Sequence, residues 1–256
     1  MSTYQSLRLE VSGGVGRIVL NRPPLNVLNL AAMAELEEAL GVVAQHQEAR
    51  VVVLTGEGRA FSAGVDVADH TPERVHDMMT GFHRVLLRLM GLPQPTVAVV
   101  NGAALGGGCE LLLACDLAVA AEEAPIGQPE IKLGVLAPFG ALLLPRVMGL
   151  RPALELLLSG ESLRGREAAQ RGLVNLAVPA AELEEAARVF VERLLKLSGA
   201  ALKLTKRAVA LGLDGGLEEA LGQVERLYLE DLMATQDANE GLAAFIERRP
   251  PVWRHA

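Results

Sequence analysis

Three recurrences of one local pattern constrain this chain more than any other feature. Val51-Val52-Val53-Leu54, Thr96–Val100 and Leu117–Ala120 are short, nearly unbroken apolar runs. A strand reads this way when both its faces are buried, as in a parallel sheet covered by helices. Small-residue stretches lie beyond the runs: Thr55–Gly64, Asn101–Gly108 and Ile126–Glu130. After the first comes a helical face of Val75, Met78, Phe82, Val85 and Leu89, and after the second a helix containing Glu110–Ala114. Strand, small-residue turn and helix in repetition specify an α/β fold with functional groups at the strand ends.

Upstream, Val15–Leu20 reads as a strand entered through the turn Ser12-Gly13-Gly14. Asn29 can cap a helix whose apolar stripe is Met33, Leu36, Leu40 and Val43. Beyond residue 150 the pattern becomes helical: Pro152–Leu158, Arg166–Arg171, Glu182–Leu197, Ala200–Leu213, Leu217–Met233 and Glu240–Glu247, with one short strand, Val174–Val178. No low-complexity linker intervenes. Residues 1–190 are therefore expected as an α/β core carrying the active site, and 191–256 as a helical oligomerisation region of the same folding unit.

Composition serves to exclude. With 50% hydrophobic and 21% charged residues the chain can bury a core and is not disordered. A net charge of −7 and an aromatic content of 3% oppose a nucleic-acid partner, which needs cations for phosphates and rings for bases. Cys109 and Cys115 are too few for a disulfide framework and read as reduced core thiols of a cytoplasmic protein. Met1–Val11 has no apolar signal region. Glu110 and Asp116 interrupt the run Ala103–Ala121, and Leu133–Pro145 is too short for a bilayer, so no membrane partner is expected. The five histidines lack metal-ligand spacing, and His76 and His83 fit a solvated or packed helix face. No metal is expected.

Common motifs fail one by one. Gly56-Glu57-Gly58 would need its third glycine at Phe61, and Gly106-Gly107-Gly108 lacks the lysine of a phosphate loop. Phe61-Ser62-Ala63-Gly64 has Ala60 where a nucleophile elbow has glycine.

What remains is a constellation at strand ends. Gly106-Gly107-Gly108 begins a helix, so its N–H groups lack helical partners and can hold a developing oxyanion. Glu110 stands about one turn further on the same face. A tight turn followed by a solvated glutamate would read the same way. Glu130 ends Gly127-Gln128-Pro129-Glu130, and Ser62-Ala63-Gly64-Val65-Asp66 offers the Val65 N–H as a second oxyanion donor. Asp66 is expected to cap or brace that turn.

The phrases Ala60–Asp66 and Asn101–Glu110 strongly resemble the enoyl-CoA hydratase/isomerase (crotonase) family. So do Ala114-Cys115-Asp116, Gly127-Gln128-Pro129-Glu130, Gly172-Leu173-Val174 and Glu240–Phe245, and the resemblance runs from Asn21-Arg22-Pro23 to Arg249-Pro250. It implies a spiral of ββα units, a C-terminal helical trimerisation region, and a homotrimer or dimer of trimers. It also implies an acyl-CoA thioester whose carbonyl oxygen sits between the N–H groups of Val65 and Gly107. Glu110 and Glu130 match the two catalytic glutamates of members that hydrate a double bond. No cofactor is implied, since coenzyme A belongs to the substrate. By the same resemblance the substrate is expected to contact Leu25, Val27, Ala63, Asp66, Val67, Leu105, Gly106, Pro129, Val135, Ala137, Pro138 and Phe139. The alternatives are an isomerase, another acyl-CoA enzyme of the family, or a non-catalytic RNA-binding or structural relative.

Three departures matter. Pro24-Leu25-Asn26 is one residue shorter than the family's usual segment and lacks its lysine, and Ala68 replaces a frequent lysine. Help with the CoA phosphates is then expected from Arg22, Arg59 or a neighbouring subunit's Arg248. Leu136-Ala137-Pro138-Phe139-Gly140-Ala141 replaces a glycine-rich segment, and Pro138 has no N–H to offer where a glycine is usual. This segment is expected to line the acyl pocket. With Tyr228–Met233 and the terminal Arg249–Trp253 it is similar to the branch that hydrates cyclic dienoyl-CoA thioesters.

Overall fold

A computed structural model describes residues 4–213 and 216–255. The chain divides into two compact units, Met1–Leu92 with Thr96–Val189 and Pro93–Pro95 with Phe190–Ala256.

The first unit is built on two sheets. Six strands pair in the order β1 (Leu7–Ser12), β2 (Val15–Leu20), β3 (Val51–Gly56), β5 (Thr96–Val100), β7 (Leu117–Ala121), β10 (Leu176–Val178). Four short strands make the other: β4 (Ala60–Ser62), β6 (Ala103–Leu105), β8 (Pro125–Gly127) and β9 (Ser162–Arg164). Only β1–β2 and β8–β9 are antiparallel. The pairs β3/β4, β5/β6 and β7/β8 each give one strand to each sheet before the chain turns into helix, which makes the fold a spiral of ββα turns. Every residue of β3 and β5 is buried, as their unalternating sequences require.

Helix α1 (Leu30–Gln45) is capped by Asn29, whose side chain accepts from the Ala32 N–H, and Met33, Leu36, Leu40 and Val43 are all buried. Helix α2 (Val75–Met90) buries Met78, Phe82, Val85 and Leu89, whereas Val75 is exposed at its first position. Helix α3 (Gly107–Ala114) is buried throughout. Asp116, at its C-terminal end, accepts from both the N–H and the hydroxyl of Thr96, which fixes the start of β5.

Several sequence expectations are corrected. The stretches Thr55–Gly64 and Asn101–Gly108 are not plain loops, since they contain β4 and β6. β1 and β9 were not expected, and the strand placed at 174–178 begins at Leu176. The stretch after Gly64 enters a 3-10 turn, Val67–Asp69, before α2, and β8 likewise leads into a 3-10 turn, Pro129–Leu133. Strands of three residues are too short to show a period of two, which hides them from pattern reading. The segment after Leu136 is also more than a pocket edge. Pro138 opens helix α4 (Pro138–Met148) at a first-turn position where a missing N–H is harmless.

Helices α5 (Leu150–Ser159) and α6 (Gly165–Gln170) follow, and the division between units falls within α7 (Leu183–Leu195). The second unit holds α8 (Gly199–Leu213), α9 (Leu217–Arg226) and α10 (Gln236–Glu247). The single helix expected over Leu217–Met233 is interrupted, because Leu227–Leu232 forms a π-helical turn. Of the two cysteines only Cys109 is fully buried, while Cys115 is half-buried at the end of α3. Among the described residues no helix is long and apolar enough to cross a membrane, and no three His, Cys, Asp or Glu side chains could together hold a metal ion.

Candidate active site

The small-residue ends of β4, β6 and β8 meet at one cavity of about 610 Å3. The Leu28 N–H donates to the Gly64 carbonyl, and the Asp66 N–H donates to the Leu28 carbonyl. This bridge uses the bonds on either side of Val65 and leaves the Val65 N–H without an acceptor among the described residues. Gly107 is the first residue of α3, so its N–H has no helical acceptor either. The two backbones are adjacent: a Cβ on Gly64 would lie 2.9 Å from the Gly107 nitrogen, and one on Gly107 would lie 3.0 Å from Val65 Cγ2. Two N–H groups without acceptors among the described residues therefore belong to neighbouring residues that both line the cavity, one of them at the positive end of a helix.

The donor pair is braced from behind. Asn26 is 1% exposed, and its amide nitrogen donates to the carbonyls of Glu57, Ala60 and Phe61, while its oxygen accepts from the Arg22 N–H. The Ser62 hydroxyl donates to the Asn26 carbonyl and accepts from the Gly64 N–H, a structural role that leaves no nucleophile there. Asp66 caps the 3-10 turn by accepting from the Ala68 N–H, as its position suggested. Asp69, 4% exposed, accepts from the Leu30 N–H and from Arg74, tying that turn to α1.

Glu110 is 4% exposed yet lines the cavity. Its Oε1 accepts from the Gly140 N–H at 2.8 Å, so the first turn of α4 supplies the donor that Pro138 could not. Burial pushes its carboxyl from an ordinary 4.5 up to about 7, opposed by the Gly140 N–H and assisted by the negative charge of Glu130. Burial also raises Glu130, against its own backbone N–H and the nearby His70 imidazole. Gln128, 1% exposed, donates to both Glu130 oxygens at 3.1 Å when its amide nitrogen faces the carboxylate. Gly106 at φ +55 leaves the space that Glu130 Oε1 uses, since a Cβ there would lie 2.7 Å from that oxygen.

The raised carboxyl of Glu110 has a consequence for stability. Its folded-state value exceeds its unfolded one, so the folded protein holds the proton more tightly, and stability falls as pH rises from about 4.5 to about 7. Above that window the buried charge opposes folding by roughly 3 kcal/mol at most. Glu110→Gln keeps the acceptor for Gly140 and removes the charge. It is expected to raise unfolding stability by about 1–3 kcal/mol at pH 8 and to change it little at pH 4. Urea unfolding at the two pH values checks this, and equal effects at both would contradict it.

Of the residues expected at the substrate, Ala63, Val67 and Gly106 line the cavity, as do Pro129, Val135, Ala137 and Pro138. Leu25, Val27, Asp66, Leu105 and Phe139 lie outside its lining. Leu25 and Val27 act instead through their backbones, accepting from the Ala63 N–H and the Arg22 guanidinium. Phe139 is buried in the first turn of α4. Phe139→Ala is therefore expected to cost about 3–5 kcal/mol of stability, while the ratio of kcat/KM for cyclic and linear enoyl-CoA substrates stays unchanged. Melting temperature and the two kcat/KM values decide between this and a pocket role. His70, His83 and the α2 face Met78, Met79 and Phe82 also line the cavity. The sequence reading did not place them there, although the α2 periodicity already put Met78 and Phe82 on one face.

Two backbone N–H groups without acceptors among the described residues, beside the buried carboxyl of Glu110 and the half-buried one of Glu130, mark the strand ends of this ββα spiral as the candidate active site. The sequence model of the enoyl-CoA hydratase/isomerase family matches residues 10–256, and the chain belongs to that family. It is 38% identical to the probable enoyl-CoA hydratase of Mycobacterium bovis, across 99% of both chains. It is 39% identical to the cyclohexa-1,5-dienecarbonyl-CoA hydratase of Thauera aromatica, across 96% of this chain and 95% of that one. Among solved structures it is similar to an enoyl-CoA hydratase from Bacillus anthracis, with a TM-score of 0.93 and 36% identity over 98% of this chain and all of that one. The fold is the crotonase spiral.

Proposed function

We propose that this chain hydrates enoyl-CoA thioesters. One observation carries the reading: buried Glu110 and half-buried Glu130 line the same cavity as Val65 and Gly107, whose N–H groups have no acceptor among the described residues. The thioester carbonyl oxygen accepts from those two N–H groups. One carboxylate takes a proton from water as its oxygen bonds to the β-carbon, and the π electrons move onto the carbonyl oxygen to give an enolate. The other carboxyl then protonates the α-carbon. One water is added, and the pair holds as many protons at the end as at the start. Burial pushes the Glu110 carboxyl up to about 7, within reach of both protonation states near neutral pH, and raises Glu130 in the same direction. This acid–base chemistry requires nothing beyond these groups and the coenzyme A of the substrate. Loss of conjugated absorbance on incubation with crotonyl-CoA tests the reading, and migration of the double bond without addition of water would replace hydration with isomerisation.

A second reading narrows the substrate to a cyclic dienoyl-CoA. The relative from Thauera aromatica supports it, together with the Leu136–Ala141 segment. Turnover of cyclohexa-1,5-dienecarbonyl-CoA in the same assay, faster than that of crotonyl-CoA, is its test.

The working form in this reading is a cytoplasmic homotrimer or dimer of trimers. Leu217 is 87% exposed and Phe245 84%, and Leu221, Leu229 and Ile246 are also exposed, an apolar surface that water-facing helices rarely carry. Leu227 is by contrast already buried within the protomer. Light scattering is expected to return three or six times the 27.1 kDa chain mass, and a monomer at micromolar concentration overturns the assembly.

A further inference from the structure

After Glu110 and Glu130 have been assigned, the only hydrogen-bonding side chains left among the described residues that line the cavity are His70 and His83. They differ in what they can still bind. The Nδ1 of His70 lies 3.0 Å from the Asp66 carbonyl, which can only accept, so that nitrogen carries the proton and only Nε2 remains. His70 is exposed and close enough to Glu130 to act on its charge. His83 is half-buried and makes no hydrogen bond among the described residues. It keeps both a donor and an acceptor.

Helix α2 fixes where His83 stands. The ring of Phe82 reaches to 3.0 Å from the Cβ position of Gly107, so this helix flanks the site of the thioester carbonyl. Val75, Met79 and His83 follow one another at intervals of four along the cavity face of α2, and the first two are apolar. The imidazole thus interrupts an otherwise apolar wall. An alkyl chain laid against it would strip its remaining water and return no bond, whereas an oxygen would return one. No lysine or arginine lines the cavity among the described residues, and two carboxyls do. An anionic tail would be repelled, so the oxygen that fits is neutral.

We infer that His83 is a specificity-determining residue that binds a neutral oxygen, hydroxyl or ketone, carried by the acyl group beyond its β-carbon. The inference rests on the acyl-CoA reading of the cavity and adds the class of acyl group. Calorimetric Kd values for saturated thioesters test it without requiring turnover. The probes are hexanoyl-CoA, its 4-, 5- and 6-hydroxy derivatives, 5-oxohexanoyl-CoA and adipyl-CoA, on the wild type, His83→Leu and His83→Gln. At least one oxygenated derivative is expected to bind the wild type about tenfold more tightly than hexanoyl-CoA. That preference is expected to shrink to about twofold or less in His83→Leu and to survive in part in His83→Gln, which keeps a donor and an acceptor. Hexanoyl-CoA affinity serves within each variant as the reference for an intact cavity. A wild type that binds hexanoyl-CoA as tightly as every oxygenated derivative overturns the inference. So does one that binds adipyl-CoA tightest, or a preference that persists in His83→Leu. Hydration of crotonyl-CoA, run in parallel on the wild type, separates the two claims. No hydration with the preference intact overturns the reaction alone, and hydration without the preference overturns the inference alone.

Discussion

Glu110→Gln and Glu130→Gln are each expected to lower kcat for hydration by about 10²–10⁴-fold, with the Kd for a saturated acyl-CoA moving only a few-fold. The amide keeps the size of the carboxyl and, at Glu110, the acceptor for the Gly140 N–H. What it cannot do is take a proton from water or give one to the α-carbon. The reaction needs both transfers, so neither glutamate can cover for the other, and the double variant is expected to be little worse than either single one. The proposed oxyanion donors are backbone groups of Val65 and Gly107, which neither substitution touches, so binding is expected to survive. Stopped-flow loss of conjugated absorbance gives kcat, and calorimetry with a saturated thioester gives Kd. A single variant that retains near-normal hydration would remove its glutamate from the mechanism. One that loses hydration but moves the double bond efficiently would show that the pair divides its labour differently from the scheme above.

The second large effect falls on stability and comes from one missing methyl group. A Cβ on Gly108 would stand 2.0 Å from the Ser62 carbonyl oxygen and 2.8 Å from its carbon, both backbone atoms of β4. No rotamer change relieves such an overlap, so either α3 or β4 must shift. Gly108→Ala is expected to lose about 3 kcal/mol, which exceeds the helix-propensity gain of about 1 kcal/mol for replacing glycine with alanine. Because Gly107 opens α3 and Val65 follows β4, a shift of either element displaces the proposed oxyanion donors, and activity should fall with stability. Gly222→Ala is the control. Among the described residues of the protomer nothing lies within 4 Å of the Cβ position there, inside α9, so the substitution meets no such overlap within the protomer, and helix propensity favours a gain of up to about 1 kcal/mol. Urea unfolding of the two variants measures the contrast, and a Gly108→Ala protein as stable as the wild type would show that the close approach of α3 to β4 is not required.

Much of the frame was legible because burial on both faces leaves a direct trace in sequence. The runs that became β3, β5 and β7, the Asn29 cap and the α2 stripe depend on neighbours within a few residues, and local periodicity reports them. Glu110, Glu130, Val65 and Gly107 could be named for the same reason. Each lies in the small-residue stretch or helix start that follows such a run, in a motif whose resemblance to a family spans nearly the whole chain.

What the tertiary structure alone decided concerns partners far apart in the chain. Glu110 and the Gly140 N–H are thirty residues apart, and the Asn26 amide reaches Ala60 and Phe61 from thirty-four and thirty-five residues away. No periodicity relates such residues, because the direction of a hydrogen bond between distant segments is set only when the sheets have paired. The same holds for Phe139, which local sequence allowed to face either a ligand or the core and which packing buried. It holds too for Glu110, whose carboxyl is an ordinary acid in the extended chain and rises to about 7 only where folding removes its water. Sequence determined which chemical groups the chain brings to its strand ends. Tertiary packing decided which of them lost water, which gained a partner and which face the cavity, since burial and hydrogen-bond geometry belong to the assembled fold and not to any stretch of it.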